Sequence, residues 1–295
     1  MGPFELMDLV GIDVGFEVAQ SFTEQSFGEP RWKPSPLQAR MVAAGRLGRK
    51  SGRGYYEYAE DGSYRPADPE PPAPGAGGGI ALATLGDGPL AGALRERARS
   101  AGYELREGGP VELVVDASPL PRASIPGGAP ALVLCAATSL AARGEPGAVG
   151  FHVLPPLDEV KLVELTRLPA TQRFACEAAE RFFESLGFLT EWVEDAPGLV
   201  LGRIVSQLVN EAAFAIGDGV GSADDVDAGL TLGLSHPRGP VAWSEAAGLE
   251  HVLAVLDGLW TERREERYRA APLLRRAAAL GRSLRDEWRQ PTSLS

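Results

Sequence analysis

Residues 80–91, IALATLGDGPLA, decide the fold of the larger part of this chain. Ile80 to Leu85 form a short, continuous apolar run, Gly86-Asp87-Gly88 interrupts it, and Pro89 opens a stretch, PLAGALRERARSA (89–101), whose apolar groups recur at helical spacing. A strand that is apolar throughout is covered on both faces, as in parallel sheets flanked by helices. Two runs of the same kind follow, VELVVDA (111–117) and ALVLCAA (131–137), with a fourth strand expected over 149–154 and the sheet continuing at 160–165. The reading is an α/β domain with a parallel sheet and right-handed crossovers. From 170 onward the pattern turns helical, predicting helices over 170–186, 198–217, 223–232, 238–246, 249–266 and 271–280.

Upstream lies AEDGSYRPADPEPPAPGAGGG (59–79), too rich in Pro and Gly for a helix or a central strand, and read as a linker. Before it, residues 4–22 predict two short helices broken at Gly11, and 34–44 a third, opened by Pro34 and Pro36 and closed at Gly45. These early helices have a later echo. Gly2-Pro3 and Gly11-Ile12-Asp13 recur as Gly239-Pro240 and Gly248-Leu249-Glu250 at an offset of 237. Arg31-Trp32-Lys33, Pro36-Leu37, Arg40 and Gly45 recur as Arg267-Tyr268-Arg269, Pro272-Leu273, Arg276 and Gly281 at 236. A duplicated helical unit with one loop change gives this pattern. The second copy begins near Pro197, about forty residues before Gly239, so the chain is expected to start within the first copy.

At 295 residues, a prior of ~150 per domain allows about two domains. The formal charge of −11 excludes a nucleic-acid or anionic-membrane surface, which needs clustered Lys and Arg, and points to a small partner. No apolar run reaches membrane-spanning length and the N-terminus carries no targeting pattern, so a cytoplasmic protein is expected. Cys135 and Cys176 sit in apolar contexts and are read as buried thiols, with no metal-ligand spacing anywhere. The basic run Arg46–Arg53 reads as a solvated turn.

Three constellations carry possible chemistry. Gly86, Gly88 and Ala91 stand in the strand-turn-helix context of a dinucleotide fingerprint, where glycines let the backbone approach a pyrophosphate at a helix N-terminus. Glu107 has the spacing of a ribose-binding acid, yet Val111 already begins the next strand, leaving little room for a full nucleotide fold. His152 ends a strand, and Glu164 follows twelve residues later beyond a Pro155-Pro156 turn that can fold the carboxylate back to the imidazole. A histidine held by a carboxylate is a general base. The alternative is a strand-end histidine satisfied by backbone beside a solvated glutamate. His236 and His251 are expected in solvated positions.

Residues 2–58, from GPFELMDLVGID to FGEPRWKPSPLQARMVAAGRLGRKSGRGYYEY, resemble the latter half of the C-terminal helical domain of NAD-dependent 3-hydroxyacyl-CoA dehydrogenases. Gly150-Phe151-His152 with Pro156 and Lys161-Leu162-Val163-Glu164 resembles that family's G-x-H-F-F-N-P…K-L-V-E segment, Pro197–Arg203 its P-G-F-I-V-N-R, and Asp225-Val226-Asp227 its D-I-D. The resemblance is to two-copy members. It implies half of a helical domain (1–58), the linker (59–79), a reduced Rossmann-like parallel sheet (80–195) and a second helical C-terminal domain (196–290): α/β plus all-α. By resemblance, His152 and Glu164 are the catalytic dyad, Gly86, Gly88 and Ala91 face NAD, and Thr138 and Ser139, left from an N-T-S-S segment, face an acyl-CoA substrate. The family reaction oxidises (S)-3-hydroxyacyl-CoA to 3-oxoacyl-CoA in fatty-acid or aromatic-acid breakdown, and pairing through helical domains as a homodimer or pseudo-dimer is implied.

The departures are specific. The family's catalytic Asn is Gly202 here, its F-F-N is Val153-Leu154-Pro155, and its ribose acid falls at a glycine. The first copy's own His, Glu and Asn would precede Met1. The chain is therefore expected to be the C-terminal portion of such a dehydrogenase, weak in NAD binding and inactive alone; the alternative is a non-catalytic scaffold or dimerisation module.

Overall fold

The computed structural model describes residues 2–65, 67–75, 77–122 and 128–287. Two compact units divide the chain, Met1–Pro69 and Glu70–Ser295.

In the first unit, α1 (Pro3–Val10) and α2 (Ile12–Gln25) meet at Gly11, whose φ of 109° is a conformation glycine adopts at little cost. A 3-10 turn (Pro30–Trp32) leads to α3 (Pro36–Ala43), capped by the Ser35 hydroxyl. The unit closes on Asp8, which is 1% exposed and accepts hydrogen bonds from the backbone N–H of Tyr55 (2.9 Å) and Tyr56 (3.0 Å) and from the Tyr58 hydroxyl (2.9 Å). Gly48 and Gly54 pack so closely on Asp8 that a Cβ at either would overlap it. The basic run is not simply solvated: Arg49 pairs with Glu5, Lys50 with Asp13 and Arg53 with Glu57. On the other side, Phe4, Leu6, Leu9 and Phe22 stay exposed and Phe16 half-buried.

The second unit is built on one seven-stranded sheet: β1 (Ala81–Leu85), β2 (Glu104–Leu105), β3 (Leu113–Asp116), β4 (Ala131–Leu134), β5 (Val149–His152), β6 (Leu162–Thr166) and β7 (Leu189–Trp192), in the order β2-β1-β3-β4-β5-β6-β7. Strands β1 to β5 are mutually parallel, but β6 runs antiparallel to β5 and carries β7 parallel to itself. The parallel sheet expected from the sequence is thus interrupted at one hairpin, where the turn at Pro155-Pro156 folds the chain back. Two further strands escaped the reading, the two-residue β2 and the edge strand β7, which lack continuous apolar runs. Helices α4 (Pro89–Ser100) and α6 (Arg173–Ser185) bury Leu90, Leu94, Phe182 and Phe183 in the core that also holds the sheet, with the short α5 (Leu140–Arg143) after β4. Cys135 and Cys176 are free, buried thiols.

The helical remainder surrounds α7 (Leu201–Gly217), against which α9 (Pro240–Ala247), α10 (Leu249–Arg263) and α11 (Pro272–Ala279) pack. Helix α8 (Ala223–Ala228) runs into a π turn (Gly229–Gly233), and α12 (Leu284–Glu287) ends the described chain. Asp227 accepts the backbone N–H of Val241 and Ala242, filling the open N-terminus of α9. The duplicated helices coincide: α9, Gly248 (φ 86°), α10, the turn Glu266–Tyr268 and α11 repeat α1, Gly11, α2, the turn Pro30–Trp32 and α3 in order. Among the described residues no helix is long and apolar enough to cross a membrane.

The first unit's dependence on Asp8 is testable. Asp8→Ala leaves three part-buried donors without their acceptor, so a loss of about 2 kcal/mol is expected in that unit. Hydrogen exchange on the full chain should show faster exchange at Tyr55 and Tyr56 and along α1 and α2, while β1 to β7 keep their protection.

Candidate functional site

The antiparallel register of β5 and β6 sets His152 directly opposite Glu164, so their side chains leave the same face as cross-strand neighbours. Both are buried, at 1% and 3% exposure. They are not hydrogen-bonded to one another. The Glu164 carboxylate instead accepts the backbone N–H of Val200 (3.0 Å) and of Leu201 (3.0 and 3.1 Å), the donors at the start of α7 that have no partner within the helix. Burial raises the acid's pKa, and those N–H groups and the Arg203 charge oppose the shift.

His152 has turned the other way. Its Nε2 lies 3.0 Å from Nε2 of His251, and its Nδ1 is buried without a partner. The ring rests on Gly202, the second residue of α7. A Cβ there would stand 2.2 Å from Cε1 and 2.5 Å from Nε2. An asparagine side chain at 202 and this ring cannot occupy the same space.

His251 corrects an expectation: it is buried, not solvated, while His236 is half-buried. The signal was present in the spacing, because His251 shares a face with Val255 and Leu259, both fully buried on α10. A ring–ring hydrogen bond needs one donor and one acceptor nitrogen, so at least the accepting ring is neutral, and the burial of both rings favours the neutral form of each. Burial holds the His152 pKa well below its ordinary value, with the His251 charge adding to the effect, and burial alone lowers His251 to about 4. The only described polar partner of His152 is thus His251, which itself lines a cleft of about 240 Å³ with Gly88, Pro89, Ala117 and Glu250.

That cleft opens beside the other predicted constellation. Gly86 turns at φ 105°, and a Cβ on it would lie 3.0 Å from the Ser118 nitrogen. Gly88 caps α4, and Ala91 is buried where the helix meets the sheet. These three positions suit a fingerprint turn at the point where the strand order reverses about β1. The ribose end does not suit NAD. A second cleft, about 820 Å³, lies off the carboxyl ends of β1 and β2, and Arg95, Arg99, Arg106 and Arg122 line it. NAD asks for a carboxylate on its ribose hydroxyls; Glu107 and Asp87 are present, but exposed and outnumbered by guanidinium groups.

Thr138 and Ser139 lie apart from the histidines. The Ser139 hydroxyl caps α5 by accepting the Ala142 N–H (3.2 Å), and its own N–H donates to Glu262 (2.8 Å). Thr138 lines a third cleft, about 550 Å³, with Leu120, Leu253 and Thr261. Among the described residues no His, Cys, Asp and Glu cluster could hold a metal ion.

The family model described as "3-hydroxyacyl-CoA dehydrogenase, C-terminal domain" matches residues 1–58 and again 198–290. The chain belongs to the 3-hydroxyacyl-CoA dehydrogenase family. It is 28% identical to the 3-hydroxyadipyl-CoA dehydrogenase of Escherichia coli (strain K12) over 291 residues, which is 95% of this chain and 51% of that protein. Over 137 residues it is 35% identical to the 3-hydroxybutyryl-CoA dehydrogenase of Clostridioides difficile, covering 45% of this chain and 49% of that one. A crystal structure of a 3-hydroxybutyryl-CoA dehydrogenase from E. coli K12 superposes with a TM-score of 0.68 at 27% identity, over 95% of this chain and 51% of that chain. The chain spans about half the length of these relatives. The fold is that of the family: a Rossmann-like sheet with a helical C-terminal domain.

The neutral histidine pair has a pH signature. Both folded pKa values lie below 6.5, so the folded chain binds fewer protons than the unfolded one, and stability present above pH 6.5 is lost as pH falls toward about 4. For His251 alone the loss is about 3 kcal/mol. Glu164, with its raised pKa, works in the opposite direction and offsets a part. Urea unfolding between pH 7.5 and 5 should show the midpoint dropping, and His251→Gln should flatten the slope; an unchanged slope would show that His251 does not stay neutral.

Proposed function

We propose that residues 80–195 and 196–290 form the second, non-catalytic copy of a two-copy 3-hydroxyacyl-CoA dehydrogenase, with residues 1–58 contributed to the helical domain of the first copy and 59–79 joining them. The whole protein would carry the family reaction on an acyl-CoA substrate, and this chain by itself would not turn over. One observation carries the reading: the His152 ring occupies the surface of Gly202 and bonds to His251, in the place where the family holds an Asn. A general base must have a nitrogen within reach of the proton it takes. Here Nε2 is engaged, Nδ1 is buried, and the carboxylate that would support an imidazolium is committed to α7. His152 and Glu164 keep their family positions and act as structural fasteners. Thr138, and more weakly Ser139, are what remains of the acyl-CoA side.

The exposed Phe4, Leu6, Leu9 and Phe22 favour a second role, pairing of helical units into a dimer or pseudo-dimer. One preparation tests both readings. Assayed with (S)-3-hydroxybutyryl-CoA and NAD, the chain should show turnover at least ~10²- to 10³-fold below a complete relative. Robust turnover that His152→Gln abolishes overturns the non-catalytic reading, and sedimentation of the same sample as a monomer at all concentrations removes the pairing role.

Gly202→Ala probes the contact directly. The added methyl forces the ring from its seat at a cost of about 2 kcal/mol, and the imidazole nitrogen resonances in NMR should lose the His152–His251 hydrogen bond while the fold persists.

A further inference from the structure

The arginine-lined cleft is the feature that neither the helical frame nor the histidine pair explains. Its four guanidiniums come from three separate pieces of local structure. Arg95 and Arg99 stand four residues apart on α4, one step beyond the buried Leu94 and Ala98 and so on the flank the sheet does not cover. Arg106 directly follows β2, and Arg122 lies in the segment after β3. Arg95 is fixed from below: its Nε donates to the Thr84 hydroxyl (3.1 Å) and its Nη2 to the Gly86 carbonyl, which leaves the other N–H groups of the fork unassigned. Arg122 donates to the Ser118 hydroxyl (3.3 Å). Arg106 alone is balanced, by Glu104. Among the described residues Arg95, Arg99 and Arg122 form no ion pair, in a chain whose formal charge is −11 and where most surface arginines do.

The cleft also has the right address. It runs from Gly86 and Asp87 to the end of β2, which in a nucleotide fold is the adenosine and ribose end. Its volume of about 820 Å³ suits a nucleotide. Fork-shaped guanidiniums recognise phosphate through paired, charge-assisted hydrogen bonds, and an arginine in this position accommodates a ribose phosphate where an acid would bind a free diol.

We propose that this cleft binds an adenosine nucleotide carrying a phosphomonoester on its ribose, in preference to NAD. The ribose phosphate sits among Arg95, Arg99 and Arg122, with the adenosine toward the end of β2 and the pyrophosphate toward the Gly86 turn. The proposal goes beyond the non-catalytic reading and does not need it, because binding is measured without turnover. Two sources share this chemistry, a 2′-phosphate as in NADP and a 3′-phosphate as in coenzyme A.

Calorimetric titration of the full chain with NADP, NAD, coenzyme A and 3′-dephospho-coenzyme A separates them. At least one phosphorylated member should bind tenfold or more tightly than its unphosphorylated partner, with affinity falling steeply as salt is raised. Which pair shows the difference identifies the 2′ or the 3′ source. Arg99→Gln and Arg122→Gln, at exposed positions with little or no bonding to lose, should each erase most of that difference, whereas Arg181→Gln on α6 should leave it intact. Equal affinity within both pairs, no binding of any of the four at millimolar concentration, or a preference that survives both cleft substitutions overturns the proposal.

Discussion

The imidazole of His152 lies on the bare backbone of Gly202, and the polar contacts that join the sheet to the helices of the larger unit are arranged around that contact. From the sheet side, β5 offers His152 to α10 through His251, and β6 offers Glu164 to the open N-terminus of α7. Both bonds are made by groups that are costly to bury without partners, so the two layers pack closely here only in the register that pairs those groups. The arrangement is possible only because residue 202 has no side chain. A larger residue would overlap the ring and push it from its bond to His251. A side chain at 202 and this imidazole are therefore mutually exclusive uses of one small volume.

A fixed frame with a distinctive lining also occurs at the Gly86 turn. The turn at Gly86 and the seat of Ala91 keep the frame of a fingerprint, since they are fixed by backbone strain and helix–sheet packing. The lining of the cleft is rich in arginine within an acidic chain. A local cluster of guanidiniums in a concave site focuses a positive potential that the net charge of −11 does not predict. Net charge excludes extended polyanions as partners, but it says nothing about a single phosphate.

How much was legible in the sequence follows from how locally each feature is encoded. Continuous apolar runs announced β1, β3 and β4, and the spacing of His152 and Glu164 around Pro155-Pro156 placed the two side by side, because a hairpin is a local structure. β7 was missed since Leu189–Trp192 is a half-exposed edge whose pairing comes entirely from β6. β2 was missed since two residues carry no period. The partner of His152 was missed for a different reason: His251 lies 99 residues away, and only its phase on α10 with Val255 and Leu259 marked it as inward-facing. Strand proximity does not fix a rotamer, so the register gave the neighbours and the cavity at Gly202 decided which way the ring turned.

The repeated helices show the same division between frame and fastening. Their lengths, their positive-φ glycines at 11 and 248 and their 3-10 turns recur at offsets of 237 and 236. Asp8 and Glu245 occupy equivalent places in that frame, yet Asp8 is buried and gathers the amides of Tyr55 and Tyr56 with the Tyr58 hydroxyl, while Glu245 pairs with Arg285 at a partly open surface. The longer side chain reaches outward to a charge; the shorter one draws the chain inward over itself, which is why Gly48 and Gly54 must lack side chains around Asp8. Helix packing tolerates either solution because it depends on apolar volume and turn geometry, so duplicated copies keep the scaffold while their polar contacts drift. A polar constellation in one copy is accordingly weak evidence for its counterpart in the other, and the chemistry of His152 has to be argued from the residues that touch it.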